Sequence, residues 1–97
     1  RLKELIKVKG FQVAPAELEA LLLTHPAVAD VAVVPQIDER SGEVPKAFIV
    51  LKKATPAEEI MNWVVGKVAS FKEIKQIEFI DQIPKSASGK ILRRMLR

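Results

Sequence analysis

The sequence predicts an α+β fold in which about three helices pack against a small β-sheet that contains a long hairpin. Two kinds of pattern lead to this prediction. Alternating or β-branched apolar runs are typical of strands, and apolar residues spaced three and four apart are typical of helices. Their order along the 97 residues is strand, helix, hairpin, helix, strand, loop and helix. A chain of this length suits one compact domain, here residues 1–97.

Five segments have the patterns of β-strands. Residues 5–9 alternate apolar and charged side chains, and residues 12–13 can pair back on them as a second short strand. β-Branched side chains dominate residues 28–34 and 47–51. The turn-forming residues between these two runs predict a long hairpin with a polar tip. Residues 74–80 predict a further strand.

Two segments have clear helix starts. Pro15 fits the first turn of a helix, which ends before Pro26 because proline disfavours a helical conformation at the preceding residue. In the second helix, Thr55 is the predicted N-cap, Pro56 the first helical residue and Glu58 the partner in a capping box. The apolar positions at helical spacing in the two helices are Leu18, Leu21, Leu22, Ile60, Trp63, Val64 and Val68.

Several classes of site are excluded by residue types that the sequence lacks. The chain has no cysteine, so it can form neither a disulfide nor a thiolate metal site. His25 is its only histidine, so we expect no metal site and no Cys/His nucleophile pair. No glycine-rich phosphate loop of a standard kind is present. The acidic residues of the predicted turn and helix start suit solvated or capping roles; they are Glu39, Glu43, Glu58 and Glu59.

The hydropathy of the chain and its first residues are relevant to where the protein is located. No apolar run approaches the roughly 20 residues that a membrane span requires, and the charged start of the chain is unlike a signal peptide. These features are compatible with a cytoplasmic or peroxisomal protein, which is the location we expect. Because the first residue is Arg1 and not methionine, we also expect the chain to be part of a larger protein.

The positive charge is concentrated at the C-terminal end. The net charge is +4, and five basic residues but no acid follow Pro84: Lys85, Lys90, Arg93, Arg94 and Arg97. One interpretation is a solvated basic tail. Another is a module that binds RNA or an acidic protein through the three arginines. The aromatic content of only 5% argues against RNA, because RNA-binding sheets stack bases on aromatic side chains.

A loop near the C-terminus combines small residues with one lysine. It spans residues 84–90 and precedes a predicted short amphipathic helix over residues 91–96. Ser86 and Gly89 allow the backbone to approach a ligand closely, and Lys90 presents an ammonium group with three donors. Such a lysine suits a phosphate or a developing negative charge. The same residues are equally compatible with an ordinary turn.

Three longer segments support a specific resemblance. They are RLKELIKVKGFQVAPAELE at residues 1–19, GEVPKA at residues 42–47 and PKSASGKILRR at residues 84–94. In this order, over nearly the full length, they resemble the C-terminal domain of the adenylate-forming superfamily. That superfamily includes acyl-CoA synthetases, firefly luciferase and the adenylation domains of peptide synthetases. The amino-acid sequences of the first and last segments are most similar to those of 4-coumarate–CoA ligases.

The resemblance implies a two-step reaction with ATP and CoA as substrates. A carboxylate attacks the α-phosphate of ATP to give acyl-AMP and pyrophosphate, and the CoA thiol then attacks the acyl carbon, which forms the thioester and releases AMP. It also implies that this domain rotates against its own N-terminal domain between the steps. That absent domain is expected to bind Mg²⁺ and the acid, so the isolated domain is expected to be inactive. A luciferase-like oxidative second step is the alternative, and no nucleic-acid partner is expected.

The resemblance also assigns roles to individual residues. Lys90 is implied as the adenylation lysine and Lys7 as the lysine of thioester formation. Both, together with Gln12, are implied to contact the nucleotide, and Lys3 is implied as the hinge. CoA is implied to pass Lys9, Gly10 and Phe11, where the missing side chain of Gly10 leaves room for the pantetheine arm.

Structural alternatives to these functional roles remain for three of the residues, and one regulatory expectation follows from the resemblance. Lys3 and Lys7 are also compatible with solvent-facing positions in a strand, and Gln12 with a structural turn. Related ligases are switched off by acetylation of the lysine that corresponds to Lys90. The resemblance therefore implies a lysine acetyltransferase as a partner at Lys90.

Overall fold

The computed structural model describes residues 5–96. The fold is α+β, as the sequence predicts, with five strands, two α-helices and two short 3₁₀ turns in this part of the chain. The elements are β1 (Ile6–Val8), β2 (Phe11–Val13), α1 (Pro15–Leu22), β3 (Val28–Asp38), β4 (Gly42–Leu51), α2 (Ala57–Val64), a 3₁₀ turn (Ser70–Lys72), β5 (Gln76–Phe79) and a second 3₁₀ turn (Arg93–Met95).

The strands form one sheet in the order β2-β1-β4-β3, and β5 also pairs with β4. All neighbouring strands are antiparallel except β4 and β5, which are parallel. β1 meets β4 at the pair Val8–Gly42, whereas β5 lies beside residues 46–49 of β4. The centre of the sheet is therefore β4, and the β1–β2 hairpin extends from its N-terminal end.

The predicted long hairpin is confirmed, and it is longer than the β-branched runs alone indicate. β3 and β4 pair continuously from Asp38–Gly42 at the tip towards Val28–Leu51, with one irregularity between Val28 and Asp30. The carboxylate of Asp38 accepts the backbone N–H groups of Arg40 at 3.2 Å and Ser41 at 2.9 Å. This side chain therefore closes the polar tip, as Asp commonly does in turns.

Two apolar clusters pack on the sheet. The main cluster contains both α-helices; its buried members include Ile6, Val8, Val13, Leu18, Leu22, Val31, Val33, Ala47, Ile49, Ile60 and Val64. A smaller cluster is formed by Ala32, Val34, Phe48 and Ile83, with Val50, Ile80, Ile91 and Leu96 packed against it. Neighbouring residues of β3 and β4 alternate between the two clusters, as the pleat of a strand requires. The segment after β5 therefore covers part of the sheet.

The first helix is confirmed, but the predicted capping box of the second is wrong. α2 begins at Ala57, with Pro56 as an N-cap residue that makes no side-chain cap hydrogen bond. The hydroxyl of Thr55 donates to the carbonyl of Lys53 at 3.2 Å. The helix also ends at Val64 and does not continue to Val68, because Gly66 adopts a left-handed φ of +89°.

The predicted third helix over residues 91–96 is also wrong, since only a 3₁₀ turn forms there. Ile91 instead forms an antiparallel bridge with Lys85, and the N–H of Leu92 donates to the carbonyl of Pro84 at 2.9 Å. The bridge holds Ile91 in a strand-like pairing, and Leu92 has a φ of −96° and a ψ of 76°, which lie outside the helical region. Within residues 5–96, no helix is long and apolar enough to cross a membrane.

Candidate active site

The β1–β2 hairpin presents Lys7 and Gln12 on its exposed side. Ile6 and Val8 are buried in the main cluster, so the alternation of the strand directs Lys7 away from that core. Gln12 is the direct cross-strand partner of Lys7, and both residues are exposed. Gln12 thus lies within β2 and not in a turn. The hairpin places a cation and an amide side by side, where one ligand can contact both.

The turn of this hairpin has an unusual backbone. Lys9 has a φ of 52° and Gly10 a φ of 85°. Positive values at both central residues are typical of the two-residue turns that match the twist of hairpins. A Cβ built on Gly10 would have no heavy atom within 4 Å, so φ and not crowding favours glycine there. The Lys9 N–H donates to the carbonyl of Ser41 at 2.8 Å, which ties the turn to the tip of the β3–β4 hairpin.

Phe11 forms one wall of a groove beside this turn. Its ring is stacked on that of Phe71, with centroids 4.3 Å apart and planes at 18°, yet 54% of the residue is exposed. The groove encloses about 390 Å³ and is lined by Val8, Lys9, Phe11, Ser41, Val44, Ser70, Phe71, Glu73 and Lys75. Lys9 and Phe11, both implied as CoA contacts, therefore line the same concave surface, which combines aromatic and charged groups.

Lys90 lies on a separate turn that is closed by hydrogen bonds. The N–H of Ser86 donates to the carbonyl of Lys90 at 2.9 Å, and the N–H of Gly89 donates to the carbonyl of Ser86 at 2.9 Å. The hydroxyl of Ser86 also accepts the N–H of Lys90 at 3.2 Å, and Gly89 has a φ of +89°. Glycine is suited to this left-handed position. The lysine side chain is exposed at the end of a closed turn.

Ion pairs on both sides of this turn correct the interpretation of a purely solvated basic tail. The Lys85 ammonium lies 2.7 Å from the carboxylate of Asp30. Arg93 forms a forked pair with Glu19, with Nη2 at 2.6 Å from Oε1 and 2.8 Å from Oε2. Arg94 is exposed, and Arg97 lies outside the described residues. The cationic tail is therefore partly folded onto the domain, which leaves fewer free charges for an RNA-binding surface.

Sequence reasoning missed the structural roles of two glutamates. Glu43, interpreted as a solvated turn residue, accepts the N–H of Lys7 at 2.9 Å and so holds β1 against the hairpin. Glu19 is only 7% exposed, and its partner Arg93 lies 74 positions away. One signal was available: Glu19 lies next to Leu18 on the apolar side of α1, where an unpaired carboxylate would be costly.

The predicted site residues thus fall into two groups. Lys7, Lys9, Gly10, Phe11 and Gln12 share the β1–β2 hairpin, whereas Lys90 lies on the turn before the second 3₁₀ segment. The predicted hinge residue, Lys3, lies outside the described residues. Among residues 5–96, no three His, Cys, Asp or Glu side chains lie close enough to hold a metal ion. The arrangement offers two exposed lysines on different elements, each able to neutralise a phosphate or carboxylate.

Comparison with known proteins agrees with the observed fold. Residues 17–90 match the family described as AMP-binding enzyme C-terminal domain. The full chain is 63% identical to 4-coumarate–CoA ligase-like 1 of Arabidopsis thaliana, of which it covers 18%.

Two solved structures of o-succinylbenzoate CoA synthetase from Bacillus subtilis have the same fold. In the complex with a product analogue, OSB-NCoA, the TM-score is 0.92 at 38% identity, covering 99% of this chain and 20% of the synthetase. In the complex with the acyl-adenylate intermediate OSB-AMP, the TM-score is 0.92 at 37% identity, and the match covers 97% of this chain and 19% of the synthetase. The chain thus spans about a fifth of the length of its relatives, and it belongs to the family of AMP-binding enzyme C-terminal domains.

Proposed function

We propose that this chain is the rotating C-terminal domain of an ATP-dependent acyl-CoA ligase that acts on an aromatic or fatty carboxylic acid. The observation that supports the proposal most directly is the 63% identity, over the whole chain, to a 4-coumarate–CoA ligase-like protein. The bound molecules of the Bacillus subtilis synthetase, an acyl-adenylate and a CoA product analogue, correspond to the two steps of such a reaction. We infer a cytoplasmic or peroxisomal location for the complete enzyme.

Lys90 would act in the first step. The carboxylate of the acid and the α-phosphate of ATP are both anionic, so their approach builds up negative charge. An ammonium group placed between them stabilises that charge, and removal of such a preorganised group typically lowers the rate by about 10²–10³-fold. The exposed position of Lys90 on a closed turn supports this role, because the side chain is free to reach a ligand while its backbone is fixed.

The β1–β2 hairpin would act in the second step. Lys7 and Gln12 would contact the nucleotide part of the acyl-adenylate, with Lys7 favouring thioester formation. Lys9, Gly10 and Phe11 would guide CoA, since the open space at Gly10 and the groove beside Phe11 leave room for a slender chain. Mg²⁺ would accompany ATP in the N-terminal domain.

The location of the two lysines on different elements supports alternation. One face of a rotating domain can present Lys90 during adenylation, and another can present Lys7 during thioester formation. CoA as the acceptor distinguishes this reaction from a luciferase-like one, whose second step consumes oxygen. We also propose that a lysine acetyltransferase modifies Lys90, because acetylation would remove the charge that the first step uses.

The decisive experiment separates the two half-reactions in the full-length enzyme. Adenylation is measured by acid-dependent ATP–pyrophosphate exchange with a panel of hydroxycinnamic and fatty acids, and thioester formation by single turnover of supplied acyl-AMP with CoA. We expect Lys90→Ala to lose the first reaction and keep the second, and Lys7→Ala to do the reverse. Lys52→Ala is the control, because this exposed lysine follows β4 at the end of the hairpin opposite the tip. If both variants lose the same half-reaction, the alternation is wrong.

A further inference from the structure

We propose that Glu19 and Arg93 are positioning residues that hold the Lys90 turn in place for adenylation. This inference rests on the proposed role of Lys90 and adds the structural cause of its placement. The Lys90 turn is defined here as residues 85–91, which the Lys85–Ile91 bridge closes at its base. Neither Glu19 nor Arg93 touches the substrates in this proposal, and both act through the backbone of the turn.

The contacts around Arg93 form a compact network. Its Nη2 donates to both carboxylate oxygens of Glu19, and its Nε donates to Oε2 of Glu19 at 3.1 Å and to the carbonyl of Val33 at 3.1 Å. Oε2 of Glu19 also accepts the N–H of Val33 at 2.8 Å. Forked arginine–carboxylate pairs fix direction as well as distance. The network therefore locks residue 93 onto α1 and β3 at once.

A second contact holds the other end of the turn. Lys85 pairs with Asp30 at 2.7 Å, and Asp30 lies on β3, the strand that also carries Val33. The two ends of the Lys90 turn are thus attached to the same strand, on either side of the reactive lysine. Asp30 and Lys85 are each partly exposed, with side chains 30% and 39% accessible, whereas the side chain of Glu19 is 9% accessible. The Glu19–Arg93 pair is therefore the more rigid of the two attachments.

Internal hydrogen bonds close the turn upon itself, whereas the two ion pairs attach it to β3 and α1. Up to residue 96 only a 3₁₀ segment follows the turn, and Ile91 and Leu96 are only partly buried against the smaller cluster. A cation that stabilises a transition state must be placed accurately, and a displacement of about 1 Å can lower a rate by about 100-fold. Lys7 is held separately, through β2, β4 and Glu43. Loosening the Glu19–Arg93 pair should therefore affect one half-reaction and not the other.

The test uses Arg93→Gln and Glu19→Gln in the full-length enzyme, each with and without Lys90→Ala. We expect either variant to lower kcat for adenylation by about 10- to 100-fold, while thioester formation from supplied acyl-AMP changes less than about twofold. In the Lys90→Ala background the same substitutions should cause no further loss, because residues that act through Lys90 are not additive with it. Glu78→Gln is the control, since it removes the exposed ion pair between Lys46 on β4 and Glu78 on β5. This control should leave both rates unchanged.

Each outcome of this experiment either supports or overturns the positioning role of Glu19 and Arg93. Additive losses in the Lys90→Ala background, or equal losses in both half-reactions from enzyme that remains folded by circular dichroism, would overturn the positioning role. If Arg93→Gln does not fold, Arg93→Lys replaces it, because this milder change keeps the charge and loses the forked pair with Glu19; unaltered adenylation in Arg93→Lys would then refute the proposal. If Lys90→Ala retains adenylation, the proposed function itself fails, which is distinct from a failure confined to Glu19 and Arg93.

Discussion

Lys7 and Gln12 lie directly opposite each other across the β1–β2 hairpin, and both side chains face solvent. Directly opposed residues have Cβ atoms about 4.5–5.5 Å apart, so a single phosphate or ribose group can contact both. The hairpin that holds them is short, with three residues in each strand, and depends on its two-residue turn. The conformation of Lys9 in that turn therefore matters for the whole site.

Lys9→Asn should stabilise the domain and weaken its use of CoA. A left-handed φ costs a residue such as lysine about 1 kcal/mol, and asparagine tolerates it better, especially before glycine. We expect the free energy of unfolding to rise by about 0.5–1 kcal/mol, measured by urea denaturation. We expect the KM for CoA in the full-length enzyme to rise. Lys9→Gln is the matched control, because it removes the charge and keeps the strain; stabilisation by this variant would contradict the argument.

The isolated chain should fold without catalysing the reaction. Its buried apolar residues form a continuous main cluster that includes both helices, so it has a core of its own. Apart from Lys7, Gln12 and Lys90, the residues expected to bind ATP and the acid lie in the N-terminal domain. Pyrophosphate release from ATP, measured with a panel of acids, should stay at background. Robust release that increases with protein concentration would mean that this domain binds ATP and acid unaided.

The parts of the fold that could be predicted depend on local signals. The alternation in residues 5–9, the proline at the start of α1 and the β-branched runs of the hairpin each fix a local conformation. β3 and β4 extend beyond those runs because pairing continues through Pro35 and Pro45 to the tip. The residues of the hairpin and of the Lys90 turn could be identified only through the resemblance to a family, since an exposed lysine has no chemical signature of its own.

The errors arose where specific contacts override the general propensity of a segment. Residues 91–96 have an amphipathic pattern, but Ile91 pairs with Lys85 and Leu92 has a ψ of 76°, so an α-helix does not begin there. At α2, Thr55 has the side chain of an N-cap, yet its hydroxyl bonds to Lys53 and the helix starts later. The Glu19–Arg93 pair joins residues 74 positions apart, so no pattern within a short window predicts it.

Glu19→Ala should destabilise the domain far more than Glu78→Ala. The first change leaves the Arg93 guanidinium and the Val33 N–H without their shared acceptor in a buried setting. Breaking a buried ion pair typically costs about 3–5 kcal/mol, whereas an exposed pair such as Lys46–Glu78 contributes no more than about 1 kcal/mol. Urea denaturation of the isolated domain measures both. Similar losses for the two variants would show that the Glu19–Arg93 pair is no stronger than a surface contact.

Lys3→Pro should leave adenylation intact and block thioester formation. Lys3 is the predicted hinge, and proline fixes φ near −65° and removes a backbone N–H. A hinge residue that cannot change its backbone angles prevents the domain from rotating between the two steps. The two half-reactions of the full-length enzyme, measured separately, test this. Lys3→Ala is the control and should retain both. An undiminished overall rate in Lys3→Pro would place the pivot elsewhere.

Lys90 should be acetylated in preference to Lys85, although both lie at the same turn. Lys90 is exposed and follows Ser86, Ser88 and Gly89, whose small side chains leave the backbone accessible to a modifying enzyme. The Lys85 ammonium is instead engaged by Asp30 at 2.7 Å. Acetylation of Lys90 removes its charge and adds a bulkier neutral amide, so adenylation should fall about as far as in Lys90→Ala.

The site preference can be measured by incubating the full-length enzyme with a lysine acetyltransferase and mapping the products by mass spectrometry. Asp30→Asn is an informative companion variant, because it frees the Lys85 ammonium and leaves the Lys90 side chain exposed. We expect acetylation of Lys85 to increase in this variant while acetylation of Lys90 stays the same. Preferential acetylation of Lys85 in the unmodified sequence would contradict the prediction. So would full acetylation of Lys90 with undiminished adenylation, because the charge of Lys90 would then be dispensable.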